Sequence, residues 1–299
     1  MQVGVIVPQG WTGEYSGFDP EAAWKQTVEV ARRTDELGFD SIWLFDHFHT
    51  TPEPTDEMTF ESFTSLSALA AVTERVRIGH IVACAGYRNP ALLVKMISTM
   101  DVISGGRMEL GIGAGWKEEE WLAYGYEFPE PRERLGRLRD QLAIARAMLG
   151  PGRATYEGKH ASVRGAINLP KPVQERLPVM VGGNGPNVTW RVAAQFADEL
   201  NVDGMTPEEV TSAMPVIRQR CEEIGRDPDT LRVSAHVWWE RLEAAPSRRD
   251  LIAGYLETGV VRIQTLVRAA ARDVDEIDAF ADDCCAAGAT LGEPALAAG

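Results

Sequence analysis

Apolar and polar positions alternate along this chain in blocks, and the blocks alternate in period. Short, nearly continuous apolar runs predict strands at Val3–Pro8, Ser41–Asp46, Val76–Cys84, Arg107–Gly113, Pro178–Gly183, Glu199–Gly204, Leu231–Glu240 and Arg262–Arg268. Segments with helical spacing lie between them at Asp19–Gly38, Phe63–Thr73, Asn89–Ser104, Arg132–Leu149, Pro186–Asp198, Pro207–Gly225, Ser247–Gly259 and Asp273–Ala287. The first helix is bounded by its own signals: Asp19 as N-cap, Pro20 in the first turn and Gly38 at the end. The early strands lack the every-other-residue pattern of a half-exposed sheet, as expected where both faces are covered.

Eight strand–helix units in 299 residues predict an α/β protein, a (β/α)8 TIM barrel forming a single domain over 1–299. An open doubly wound sheet is the competing architecture, but the first strand–helix turn, PQGWTGEYSG, lacks G-x-G-x-x-G. Between the fourth helix and fifth strand, residues 151–177 hold scattered Gly and Pro and no clear period, predicting an insertion with a short hairpin.

Composition narrows the function. The formal net charge is −14, the wrong sign for a protein that tracks phosphates, so no nucleic-acid partner is expected. No apolar run approaches the roughly 18–20 residues needed to span a bilayer, and MQVGVIVPQG reads as a first strand rather than a leader. Cys84, Cys221, Cys284 and Cys285 form no C-x-x-C pair and read as reduced thiols, giving the expectation of a cytoplasmic protein.

In a barrel of this kind chemistry collects where strands end. The second strand runs SIWLF and then stops at Asp46 and His47, with Phe48 and His49 following. Three uses are open to this acid and imidazole: a metal site with His49, proton transfer at a bound substrate, or a structural hydrogen bond. Two more strands end in glycine. GIGAGW (Gly111–Trp116, including Gly113) permits close approach of a backbone or a flat ligand. Gly182, Gly183, Asn184 and Gly185 precede a helix, where free N–H groups favour a phosphate; the same glycines also suit a tight turn. Trp11 and Trp116, on glycine-flanked loops, are candidates to line an apolar substrate pocket.

The stretches ELGFDSIWLFDHFHTTP, YRNPALLVKMISTMDVISGGRMELGIGAGWKEEEWLAYGYEFP, INLPKPVQ and VMVGGNGPNVTWRVAAQFADELN together resemble the luciferase-like monooxygenase superfamily, most closely its oxidoreductases that use coenzyme F420, a deazaflavin. The resemblance implies a (β/α)8 barrel with an insertion and a deazaflavin (FMN as the alternative) across the strand ends. It places catalytic roles on Asp46 and His47, the ring against Val82, Ala83 and Cys84 at a bulge that often carries a non-prolyl cis peptide, and the phosphate at Gly182–Gly185 with Asn187. A hydride transfer to or from a small organic substrate is implied, with a reduced-flavin monooxygenase or a non-catalytic binder as alternatives, and a homodimer is expected.

Two departures stand out. Ala114 replaces an arginine of flavin monooxygenases, and Trp116 replaces the glutamate of sugar-phosphate dehydrogenases. Glu118, Glu119 and Glu120 are near, but KEEEW reads as the solvated start of a helix. The insertion carries Arg153, Lys159, Arg164, Lys171 and Arg176 against Glu157 and Glu175, which suggests a receiver for the polyglutamate tail of F420 or a solvated loop.

Overall fold

The computed structural model describes residues 1–292; the end of the expected domain, 293–299, lies outside the described part. In chain order the elements are β1 (Gln2–Ile6), α1 (Pro20–Glu36), β2 (Ser41–Leu44), α2 (Ser62–Val72), β3 (Arg77–His80), β4 (Ala83–Cys84), α3 (Pro90–Ile103), β5 (Met108–Gly113), α4 (Glu118–Ala123) and α5 (Pro131–Leu149). The hairpin β6 (Arg153–Glu157) and β7 (Ser162–Ile167) follows, then β8 (Val179–Gly182), α6 (Thr189–Phe196), β9 (Glu199–Asp203), α7 (Pro207–Glu222), β10 (Arg232–Val237), α8 (Trp239–Ala244), α9 (Arg248–Glu257), β11 (Arg262–Leu266) and α10 (Asp275–Ala286).

The strands close into a parallel barrel in the order β3-β2-β1-β11-β10-β9-β8-β5, with β3 also pairing to β5, and β4 continuing the third position upward along β5. The barrel is therefore eight positions around, as the periodicity predicts. The insertion is the antiparallel pair β6–β7, held on α5 through Asp140, which accepts from Tyr156 Oη and the His160 amide.

Three boundaries differ from the sequence reading. The third strand is two short pieces, because the chain makes a cis peptide at Ile81–Val82 between them. The helix expected from Pro186 begins at Thr189, leaving a longer loop after β8. The apolar run expected as strand to Glu240 ends at Val237, and Trp239 opens a short helix.

The barrel interior is filled from the bottom. At the N-terminal ends of the strands, the Arg262 guanidinium is fully buried and bonds Asp40 (2.7 Å), Glu109 (2.7 Å) and Glu199 (2.9 Å). Trp43 lies above it in space left by glycine: a Cβ at Gly79 would come within 2.3 Å of the Trp43 ring, and one at Gly4 within 2.7 Å. Asn201 then bonds Ser234 (2.9 Å) and Gln264 (3.0 Å) across the middle. The packed floor leaves the barrel interior open at its C-terminal mouth.

Candidate active site

The mouth encloses a cavity of about 290 Å³, bounded on one side by Val82–Cys84, Gly113 and Gly182–Gly183 and on the other by Trp11, His47, His236 and Trp238. Val82, Ala83 and Cys84 thus line the cavity. The glycines serve this hump as well as any ligand. A Cβ at Gly113 would meet a Val82 methyl at 2.7 Å, and one at Gly182 would do so at 2.8 Å. Without side chains there, Val82 seats between β5 and β8 and raises the cavity floor.

The acid–imidazole pair after β2 divides its labour. Asp46 is buried, and its carboxylate takes the Cys84 amide (2.8 Å), the Ser62 hydroxyl (2.9 Å) and both terminal nitrogens of Arg88 (2.7 and 3.0 Å). No hydrogen bond joins Asp46 to His47 among the described residues, so Asp46 does not orient the imidazole. Its lone pairs are spent fastening the ends of β2 and β4 to the head of α3.

His47 is oriented instead by Glu120. Its Nδ1 lies 2.8 Å from Glu120 Oε2, which also accepts from Tyr87 Oη (2.8 Å), while Glu120 Oε1 takes the Phe48 amide (2.7 Å). Burial pushes the Glu120 carboxyl up, but the bonds from His47, Phe48 and Tyr87 outweigh it and bring it down to about 2. An ionised carboxylate can only accept, so Nδ1 carries the proton and Nε2 is left for the cavity. The ring is stacked on Trp11 at 4.4 Å and 7° and meets the edge of Trp116 at 5.8 Å.

Glu120 overturns the reading of KEEEW as a solvated helix start, since it is fully buried. A signal was present. Lys117, Glu120 and Trp121 stand at i, i+3 and i+4, one helical face, and all three are buried. Lys117 donates from Nζ to the Thr50 carbonyl at 3.0 Å.

Trp11 lines the cavity but is itself buried, whereas Trp116 stands at the rim, 58% exposed. On the far side of Trp11, His236 and Trp238 continue the wall: Trp11–Trp238 centroids are 6.1 Å apart, and His236 stacks on Trp238 at 5.4 Å. His236, which the sequence suggested to be mid-strand, reaches the cavity near the end of β10. His49, the other candidate metal ligand, turns away to the Thr50 carbonyl, and no metal-holding group of three such side chains occurs among the described residues.

The loop after β8 is built for its backbone. Gly183 has φ +132°, and the Asn184 side chain clamps the loop to β9 through the Asp203 carbonyl (2.6 Å) and amide (2.8 Å). Asn184 is thereby a brace, while its own amide and that of Gly185 donate to no group among the described residues. These open N–H groups stand beside the cavity wall. Asn187 lies further out, in a groove with Arg132, Arg139 and Arg191. His160 of the insertion packs against Gly136 in that groove, while the C-terminal end of the insertion is elsewhere. Lys171 donates to the Met148 and Gly150 carbonyls and Arg176 pairs with Asp198 at the foot of β9, the opposite end of the barrel.

Against known proteins, the family model described as luciferase-like monooxygenase matches residues 1–296. The chain belongs to the luciferase-like monooxygenase family. Among the family's curated members, it is 33% identical over 236 residues to an F420-dependent glucose-6-phosphate dehydrogenase of Microbacterium testaceum, covering 76% of this chain and 68% of that one. A protein of the same name from Kineococcus radiotolerans is 32% identical over 176 residues, 58% of this chain and 51% of its own. Of solved structures, an F420-dependent secondary alcohol dehydrogenase in complex with an F420–acetone adduct superposes with a TM-score of 0.80 at 19% identity, covering 96% of this chain and 98% of that one. An F420-dependent tetrahydromethanopterin reductase from Methanopyrus kandleri gives 0.70 at 18%, covering 93% and 99%. At such identities the structural likenesses establish the shared barrel.

Proposed function

We propose that this luciferase-like protein is an oxidoreductase that moves a hydride between coenzyme F420 and a small organic substrate, with His47 handling the accompanying proton. The observation that carries the reading is the cavity-facing Nε2 of an imidazole whose Nδ1 is fixed by a buried, ionised Glu120. The names of the curated relatives support the choice of cofactor.

The residues present fit such a group. A tricyclic ring would rest on Val82–Cys84 and Gly113, its phosphate would meet the open amides of Asn184 and Gly185, and Gly182–Gly183 would leave room between them. Lys117 is the only Lys or Arg among the described lining residues, and it is already engaged. A singly charged phosphodiester suits backbone amides alone better than the terminal phosphate of FMN, which carries more charge. For an anionic tail, the arginine groove beside Asn187, bordered by His160 of the insertion, is the receiving surface.

The deazaflavin, when bound, supplies the hydride acceptor or donor. His47 receives the hydroxyl proton at Nε2 as an alcohol is oxidised, or returns a proton to oxygen as a carbonyl is reduced. Glu120 keeps the imidazole in the productive tautomer and supports its positive charge once protonated. Trp11 and Trp116, either side of the ring, hold it in plane and keep water from it.

The reading extends to a cytoplasmic homodimer. No helix among the described residues is long and apolar enough to cross a membrane, and α3 exposes Leu92, Val102 and Ile103. Size-exclusion chromatography with light scattering tests the dimer. The function is tested anaerobically, by following F420 absorbance with a panel of alcohols and carbonyl compounds. Turnover without oxygen is expected; an absolute need for oxygen would overturn the reading.

A further inference from the structure

His236 is the one cavity-lining imidazole that the proton step does not use. Its side chain is 95% buried, its Nδ1 lies 2.8 Å from Asp203 Oδ1, and its Nε2 has no partner. The Trp238 indole N–H donates to the same Asp203 oxygen at 2.8 Å. The arrangement repeats that of His47: a carboxylate behind Nδ1, an indole against the ring, and Nε2 left free. The Asp203 carboxyl is held below its usual range, burial notwithstanding, by His236 and Trp238. Nδ1 is therefore the donor to Asp203, and in that tautomer Nε2 is a buried acceptor without a partner, on a side chain that lines the cavity.

A buried acceptor without a donor is destabilising, and a ligand that donates to it supplies the missing bond. His236 stands across Trp11 from His47, on the wall opposite the Val82 hump, and its partner Asp203 adjoins the loop after β8 through Asn184. The charge around it is equally selective. Asp203 is half exposed at the mouth, and among the described lining residues no free Lys or Arg offsets it. A phosphate brought to His236 would meet the Asp203 carboxylate, while the Arg241 guanidinium nearby is turned to the Gly204 carbonyl and Lys117 to the Thr50 carbonyl.

Resting on the functional reading above, we infer that His236, backed by Asp203, is a substrate-selecting site that accepts a hydrogen bond from a neutral hydroxylated substrate and turns phosphorylated substrates away. This would separate the chain from relatives named for glucose 6-phosphate. His236 is a binding residue in this scheme, and Asp203 positions it.

The test uses the intact protein with F420. Glucose 6-phosphate and free glucose, glycerol and 1,2-propanediol are compared as substrates, and F420 affinity is measured by fluorescence quenching. The wild-type protein should favour neutral hydroxylated compounds over glucose 6-phosphate by at least roughly tenfold in kcat/KM, equivalent to about 1.4 kcal/mol of repulsion from Asp203. His236→Phe should raise KM for the hydroxylated substrate about tenfold while the F420 Kd stays within about twofold. His236→Gln, which retains an acceptor, should recover part of that loss, a rescue no packing role would give. A glucose 6-phosphate preference with normal F420 binding would overturn this inference alone. Equal loss of F420 affinity and substrate affinity in His236→Phe would make the residue structural and overturn it too. Failure of the wild-type protein to bind F420 would overturn the functional reading and this inference with it.

Discussion

At the foot of the barrel Arg262 meets Asp40, Glu109 and Glu199, each through at least one bond of 2.9 Å or less, with Arg77 and Arg232 closing the outer oxygens of Glu109 and Glu199. At the mouth His47 and His236 each meet one carboxylate through one nitrogen and keep the other free. Both ends bury charge, but the floor ties one guanidinium to three carboxylates and leaves over only the Arg262 Nε–H, which faces no cavity, whereas each imidazole at the mouth keeps one ring nitrogen free on a side chain that lines the cavity. At the mouth, a cavity-lining group with an atom left over is the candidate functional one, and a group whose oxygens are all bonded is a brace. Asp46 belongs with the floor by that measure, although it lies at the mouth.

The floor gives the largest expected effect. Arg262→Met removes the one cation shared by the buried carboxylates of Glu109 and Glu199. A loss of about 3–5 kcal/mol in urea unfolding is expected; a loss under 1 kcal/mol would mean that the cluster is not a tightly paired unit. A third imidazole extends the comparison. His80 is fully buried against Phe63 at 3.9 Å, and burial pushes it down to about 4. It is neutral in the fold and takes a proton more readily when unfolded. Its stabilisation is therefore complete above about pH 6.5 and is lost as pH falls toward 4, by about 3 kcal/mol across that window. Denaturation measured between pH 7 and 4 should show this slope, and His80→Leu should flatten it.

Asp46→Asn comes next. An amide cannot serve Arg88, Ser62 and the Cys84 amide together, and about 1–3 kcal/mol should be lost. If Asp46 were instead a catalytic group, stability would hold while turnover fell. Glu120→Gln sharpens the same division from the other side. A roughly 10–100-fold fall in kcat is expected, with F420 affinity retained, because His47 loses its fixed tautomer. The Glu120 carboxyl sits at about 2, so its own contribution to stability is present above about pH 4.5 and fades as pH falls toward 2. The variant should lose that acid limb.

The sequence made the architecture legible because each strand is a dense apolar run and each helix carries its own punctuation, such as Asp19–Pro20 and Asn89–Pro90, both of which cap helices here. It made His47, Val82–Cys84 and Gly182–Gly183 legible because strand ends in a barrel share one mouth. The split of the third strand was not legible in composition, since a cis peptide at Ile81–Val82 has no residue signature. Asp46 and Glu120 exchanged roles for a related reason. Adjacent residues point to opposite sides of an extended chain, so Asp46 faces α3 while its neighbour His47 faces the cavity, and the imidazole's partner arrives from 73 positions away. Long-range pairing of this kind leaves only a local trace, here the helical spacing of Lys117, Glu120 and Trp121.

The claim on which the rest depends is that the mouth is shaped for a deazaflavin. Titrating the purified protein in parallel with F420 and FMN, each followed by quenching of its own fluorescence, tests it most directly. The account predicts saturable quenching of F420 at one equivalent per chain and at least tenfold weaker binding of FMN; saturable FMN binding with F420 fluorescence unchanged would contradict it.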